Sequence, residues 1–231
     1  MFTVVNIMLN RELSPSKAPL NLEPLTQALK TPERLWMAAL LINQRAENPT
    51  IREFSKISDL SIGFISKFAN ILREKGILAS GRKLKLLEPG ALLNIIRDLY
   101  FFEANRITPY YTEDAPEQVL EKISKSKQPY ALTRMCGSAL VAPYVRYQLV
   151  DFYISDEASL PYWKKNLGLV DVEVTGNINL VLPQNPRILN QLQTIKGYKV
   201  VNNIQLYLDL FKYPSRGREQ AEHLREKALK I

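Results

Sequence analysis

Ten side chains between positions 50 and 87 have the types and spacing that read nucleic acid. They lie in TIREFSKISDLSIGFISKFANILREKGIL (50–78) and SGRKLKLL (80–87): Arg52, Lys56, Ser61, Ser66, Lys67, Asn70, Arg73, Arg82, Lys83 and Lys85. Lysine and arginine neutralise phosphates, while serine and asparagine reach phosphate oxygens or base edges. The chemistry expected here is recognition rather than bond making. It requires one surface that presents these groups together.

The elements that would build that surface are legible. Thr31-Pro32-Glu33 is a helix start, with Thr as N-cap and Pro at the first helical position. Leu35, Ala38, Ala39 and Ile42 share one side of that helix, broadened by Trp36 and Leu40, and Asn48-Pro49 ends it. Thr50 and Glu53 form a capping box for a second helix with Ile51, Phe54 and Ile57 inward. Ser58-Asp59-Leu60 is a tight turn. Ser61 caps a third helix whose inner face is Ile62, Ile65, Phe68, Ala69 and Leu72, and Gly76 stops it. Its outer side holds Ser61, Gly63, Phe64, Ser66, Lys67, Asn70 and Arg73. Gly63 would let DNA approach the backbone closely. Ile77-Leu78, the turn Ser80-Gly81-Arg82, and Lys83-Leu84-Lys85-Leu86 read as a hairpin with lysines outward. Two helices joined by so short a turn, followed by a basic hairpin, predict a winged helix-turn-helix. The third helix would enter the major groove. Arg52 and Lys56 would touch flanking phosphates, and the hairpin would lie along the backbone or in the minor groove.

Outside this module the chain suggests little catalysis. Gly137-Ser138 followed by Asp151 echoes a nucleotidyltransferase, where a Gly-Ser turn holds triphosphate and two carboxylates on one strand face hold magnesium. The second acid would stand at 153, which is Tyr153. Cys136 is the only cysteine and His223 the only histidine, which excludes a disulfide framework and thiolate- or histidine-rich metal clusters. No catalytic residue, metal or cofactor is expected. Cys136 reads as a buried small side chain and His223 as a surface residue. Asp209 is expected to pair with Arg216 or Arg218.

The 231 residues allow two modest domains. The formal net charge is +8, with 15 basic and 10 acidic residues in 1–110 against 16 and 13 in 111–231. This surplus leans toward the proposed DNA-binding half. No apolar run reaches the ~18 residues of a membrane span, and the N-terminus has no secretory pattern. A cytoplasmic location without membrane contact is the expectation. Residues 1–30 read as an arm with a short helix from Glu23 to Lys30, 31–88 as the winged helix, 89–109 as a connector helix and 110–231 as an α+β domain. The connector (ALLNIIRDLYFFEA, 91–104) is apolar on nearly every side, which suits packing on the second domain or on a second copy. In the last region, helices are expected over 115–126, 137–145, 159–167 and 204–213, the last capped by Asn203. Strands are expected at 130–133, 148–155 and 199–201, with a hairpin of 169–174 and 177–181 turned at Thr175-Gly176-Asn177. A final helix follows Pro214-Ser215-Arg216-Gly217.

The C-terminal stretch NNIQLYLDLFKYPSRGREQAEHLREKAL resembles the closing segment of the abortive-infection E type antitoxins, transcriptional regulators of type IV toxin-antitoxin systems. The resemblance is carried by Gln205, Tyr207, Asp209, Leu210, Pro214, Arg216, Gly217, Glu219, Ala221, Leu224 and Arg225. It departs at Gln220, where alanine is commoner; a change on a terminal helix is expected to matter little. Upstream, ALTRMCGSALVAPYV, with Gly137 and Ala139, and the spacing to SDEASLPYWKKNLGL also fit. The resemblance covers about residues 130–227. It implies a repressor of its own operon whose C-terminal domain has a shape related to a degenerate nucleotidyltransferase fold. It also implies a functional link to a nucleotidyltransferase toxin that the antitoxin does not bind tightly.

The combined expectation is an α+β protein, a DNA-binding transcriptional repressor that reads operator repeats in double-stranded DNA, as a homodimer or by cooperative pairing on the DNA. The rival readings are a regulator that senses a small ligand through Tyr130, Tyr144, Tyr147 or Trp163, and a nucleotidyltransferase-like enzyme.

Overall fold

The computed structural model describes residues 23–231, and the rest of the expected arm lies outside them. After α1 (Glu23–Ala28), Thr31 caps α2 (Pro32–Asn43) by accepting from the Arg34 N–H. Every residue of α2 from Trp36 to Ile42 is buried. The helix therefore runs through a core rather than showing one face to it, and it packs on both α5 (Pro89–Leu99) and α9 (Asn203–Phe211).

The Thr50–Glu53 capping box opens α3 (Ile51–Ser58), and Asp59 in the left-handed region turns the chain. Ser61 then caps α4 (Ile62–Glu74), which buries Ile65, Phe68, Ala69 and Leu72. Two side chains of α4 differ from expectation. Ile62 is 51% exposed, because it sits in the first turn beyond the edge of α3. Phe64 is half-buried, with the Arg34 guanidinium over its ring. The hairpin that follows is short: Leu78 bridges Leu86, Ala79 N–H donates to the Lys85 carbonyl, and Leu87 N–H donates to that of Ile77. Thr50 also bridges Lys83, and Leu84 N–H reaches the Pro49 carbonyl at 2.7 Å. The segment before α3 is thus a third member of this small sheet.

Helix α5 ends at Leu99, five residues before the expected end, because Tyr100 turns into extended backbone to bring its phenol inward. Leu92, Leu93, Ile95 and Ile96 are buried within this one chain, whereas Phe101, just beyond the helix, is 59% exposed.

Residues 106–201 supply a seven-stranded mixed sheet that is not closed into a barrel. Its strands are β1 (Arg106–Tyr111), β2 (Tyr130–Leu132), β3 (Val150–Ile154), β4 (Val170–Asp171), β5 (Ile178–Leu182), β6 (Leu192–Ile195) and β7 (Tyr198–Val201), in the order β4-β1-β5-β3-β2-β7-β6. β3 pairs with β5 and β2 with β7 in parallel; the other neighbours are antiparallel. The expected hairpin of 169–174 with 177–181 does not form, since β4 and β5 flank β1 on its two sides. Gly176 serves a crossing there instead of a turn: a Cβ on it would lie 1.9 Å from the Tyr110 carbonyl oxygen. The actual hairpin joins β6 to β7 through Lys196 and Gly197, both at positive φ.

Side chains alternate across β3. Phe152 meets Trp163 of α8 (Leu160–Leu167), which packs with α6 (Pro116–Ser124). Asp151 and Tyr153 face the opposite layer of α7 (Arg134–Val141), α9 and α10 (Gly217–Leu224). α7 begins three residues earlier than expected, and Asn202 rather than Asn203 caps α9. α10 runs on into a π-helical turn over Arg225–Leu229. From the end of this turn, the Leu229 carbonyl accepts from Arg45 at 2.6 Å and so closes over α2. Gln220 is fully buried: its Nε2 donates to the Ala142 carbonyl and its Oε1 accepts from Val145 N–H. Gln220 is therefore a structural tie, contrary to the expectation that this position matters little.

Candidate nucleic-acid interface and a buried carboxylate cluster

The outer surface of residues 50–87 is built by strapping the hairpin to both helices. Arg73, at the end of α4, donates to the carbonyls of Ala79 (3.4 Å) and Gly81 (2.9 Å) and to Asn70 Oδ1 (3.1 Å). At the other side, the Thr50–Lys83 bridge fixes the hairpin to the start of α3. Thr50 also donates its backbone N–H to Glu53 at 2.7 Å, which with the Thr50 hydroxyl holds the Glu53 carboxyl below its ordinary range. Lys83 and Lys56 lie close enough to add to that effect.

Among the predicted residues, Arg52, Lys56, Ser61, Lys67, Asn70, Arg82, Lys83 and Lys85 are exposed, and Ser66 and Arg73 are half-buried. Lys67 and Asn70 are one turn apart on the side of α4 opposite Phe68 and Leu72. No ion pair joins Arg52, Lys56, Lys67, Arg82, Lys83 or Lys85 to another described residue. Their charges are available to a polyanion. Arg73 is different, since its guanidinium positions Asn70 and the hairpin.

Gly63 has open space where a Cβ would stand. Gly63→Ala should raise thermal stability by a few tenths to about 1 kcal/mol. If duplex backbone approaches here, the same change should weaken DNA binding. Calorimetric unfolding and a DNA titration of one preparation test both halves; a rise in both quantities would remove Gly63 from the contact surface.

The second concentration of polar groups is buried under α9. The Asp209 carboxylate is 1% exposed and accepts from four donors. Oδ1 takes the Tyr100 hydroxyl at 2.6 Å and Gln205 Nε2 at 2.7 Å, while Oδ2 takes the Thr133 hydroxyl and the Tyr153 hydroxyl at 3.1 Å. Burial pushes this carboxyl up from 3.8 to about 6, against the pull of those hydrogen bonds. The expected pairing with Arg216 or Arg218 is absent: Arg216 pairs with Glu219, and Arg218 lies over the Phe211 ring. Asp209 turns toward Tyr100, Thr133 and Tyr153, with Gln205 of its own helix as the fourth donor.

Beside it, Arg134 stands at φ +48° with its guanidinium 3.4 Å from the Phe102 ring centroid and 3.6 Å from Asp151 Oδ1. Asn179 Nδ2 also donates to Asp151 at 2.8 Å, and burial raises the Asp151 carboxyl. Cys136 is buried against the Asp151 carbonyl, with its thiol pushed up to about 12, which makes it unreactive at neutral pH. Gly137 and Ser138 lie inside α7. A Cβ on Gly137 would meet Leu206 and the Leu132 backbone at 3.0–3.1 Å, and the Ser138 hydroxyl donates to the Met135 carbonyl. The pair is a close-packing device rather than an open turn. Among the described residues no group of three or more His, Cys, Asp or Glu side chains is placed to hold a metal ion.

The aromatic residues considered for a ligand fall in two places: Tyr144 and Tyr147 line one surface pocket, and the other two lie elsewhere. Tyr130 and Trp163 pack edge to face in the core, while Tyr144 stacks on His223 at the surface. No family model, curated protein or solved structure matches the chain. No helix among the described residues is long and apolar enough to cross a membrane.

Proposed function

We propose that residues 31–88 form a winged helix-turn-helix that binds double-stranded DNA, and that the protein represses transcription from its own promoter. The observation that carries this reading is the strapped hairpin. Arg73 and the Thr50–Lys83 bridge bring α3, α4 and a lysine-edged loop together, with six cations that have no ion-pair partner among the described residues. Lys67, Asn70 and Ser66 read bases or phosphates, Arg52 and Lys56 flank them, and Arg82, Lys83 and Lys85 follow the backbone. One module covers only ~600–1,000 Å² of protein surface, so two copies on an operator repeat raise affinity. The antitoxin role, with a nucleotidyltransferase toxin as functional rather than tightly bound counterpart, rests on the resemblance of residues 130–227.

The test is a titration of the protein against its own upstream DNA and a scrambled duplex at two salt concentrations. Tight, salt-sensitive binding to the first alone supports a repressor, and equal weak binding to both rejects the operator claim. Lys83→Ala with Lys85→Ala should lower the slope of log K against log salt by about 1–2, with similar loss on both duplexes. An unchanged slope would take the hairpin off the phosphates.

A further inference from the structure

The first turn of α4 displays an apolar side chain on a surface that is otherwise polar. Ile62 is 51% exposed, and no other large apolar side chain of α3 or α4 is exposed. Ile51, Ile57, Phe64 and Ile71 are half-buried against the core, while Phe54, Ile65, Phe68 and Leu72 are buried. A lone exposed isoleucine is ordinary; a place in a row of polar readers sets this one apart.

Residues four apart line up along a helix, so Ile62, Ser66 and Asn70 form one row on α4. Ser66 and Asn70 are two of the side chains proposed above to reach the DNA. The adjoining row starts at Gly63, with open space at its Cβ position, and continues to the exposed Lys67. With no side chain at 63, the outer flank of Ile62 stays uncovered. The Ser61 cap, which accepts from the Phe64 N–H at 3.3 Å, fixes the turn on which Ile62 stands. In a helix-turn-helix, the N-terminal residues of the second helix meet base edges in the major groove. Among the unmodified bases, the apolar group displayed in that groove is the C5 methyl of thymine.

We propose that Ile62 packs on a thymine methyl of the operator and so sets a preference for an A·T pair at one step of each half-site. The inference rests on the DNA-binding reading and adds to it an uncharged, base-specific contact. Unlike the lysine contacts, this preference should be the same at low and high salt.

Replacing thymine by deoxyuridine removes only the methyl and keeps every hydrogen-bonding group. Each thymine of the protein's own upstream duplex is replaced in turn, and the affinity of the full chain is measured by titration. The parent should lose about three- to fivefold at one position of each half-site, the worth of one buried methyl. Ile62→Ala should bind the thymine duplex more weakly by at least a similar factor and should not distinguish thymine from uracil at that position. Ile62→Val, which keeps the branched methyls, should retain the discrimination. Because Ile62 lies outside the core, both variants should unfold close to the parent's temperature. A scan that is flat at every thymine, with specific binding retained, overturns this proposal alone. So does an Ile62→Ala loss that leaves the preference for thymine intact, which would place Ile62 away from the methyl. Equal weak binding of the parent to its own and a scrambled duplex overturns the DNA-binding reading and this inference with it.

Discussion

Asp209→Leu should leave the protein unable to hold its native fold at room temperature, or cost it at least about 4 kcal/mol. The leucine removes the only carboxylate that Tyr100, Tyr153, Thr133 and Gln205 share as acceptor, while all four donors stay inside. A buried donor left unpaired costs roughly 1–3 kcal/mol, and a domain has about 5–15 kcal/mol in total. Asp209→Asn should fare far better. Its amide can donate to the Thr133 and Tyr153 hydroxyls, which can rotate to accept, while its carbonyl keeps Tyr100 and Gln205. Urea midpoints of the two variants against the parent decide the matter. Equal stability of parent and Asp209→Leu would mean that the donors find other acceptors.

The same carboxyl gives a pH signature. Its folded value of about 6 lies above its unfolded 3.8, so between these values the native state holds a proton that the unfolded chain has lost. Stability from this group is therefore fully present below pH 4, falls as pH rises to about 6, and is flat above. The lift corresponds to about 3 kcal/mol. Measured as parent minus Asp209→Asn, the difference in unfolding free energy should decline across that window. The subtraction cancels most of the contribution from the neighbouring Asp151, whose carboxyl is also raised by burial. A difference that is level from pH 4 to pH 7 would put the native Asp209 at an ordinary carboxylate value.

The second large effect is on DNA. Lys67→Ala combined with Asn70→Ala should weaken binding to the protein's own upstream duplex about a hundredfold or more, with little change on the scrambled duplex. Each good base contact is worth about 1–3 kcal/mol of discrimination, and two are removed. Asn70 Oδ1 also accepts from Arg73, which holds the hairpin through Ala79 and Gly81. A matching Lys67→Ala single variant separates lost contact from a loosened hairpin, because Lys67 is exposed and pairs with no other described residue. Full affinity in the double variant would show that α4 is not the reading helix.

The helices around this surface were legible because their signals are local. Thr31, Thr50 and Ser61 are caps whose partners stand three residues on, and all three caps form. Strand β1 escaped because Pro109 interrupts RITPYY. Proline is tolerated there because β4 covers only Tyr110 and Tyr111, which leaves that end of β1 an edge beyond them. The supposed turn at Gly176 misled because a glycine needed for close passage looks the same in sequence as one needed for a bend. Asp209 was assigned to nearby arginines, whereas its partners come from positions 100, 133, 153 and 205. Trp36, Phe101 and Asn185 meet around one cavity from three distant segments. No periodicity records such meetings, so the cavity had no sequence signature.

The hydrogen bond from Arg45 to Leu229 spans 184 residues. The helix pair and hairpin, by contrast, take their backbone hydrogen bonds and bridges from within positions 49–87. On the ribosome the two should therefore mature at different times. The helix pair and hairpin can assemble while the sheet is still unmade, since local contacts close first. The buried flank of α2 must wait until residue 229 has left the exit tunnel. During that interval a nascent chain carries the surface proposed to bind DNA but an unfinished junction, and a chaperone that shields apolar helices would find α2 and α5 as its target.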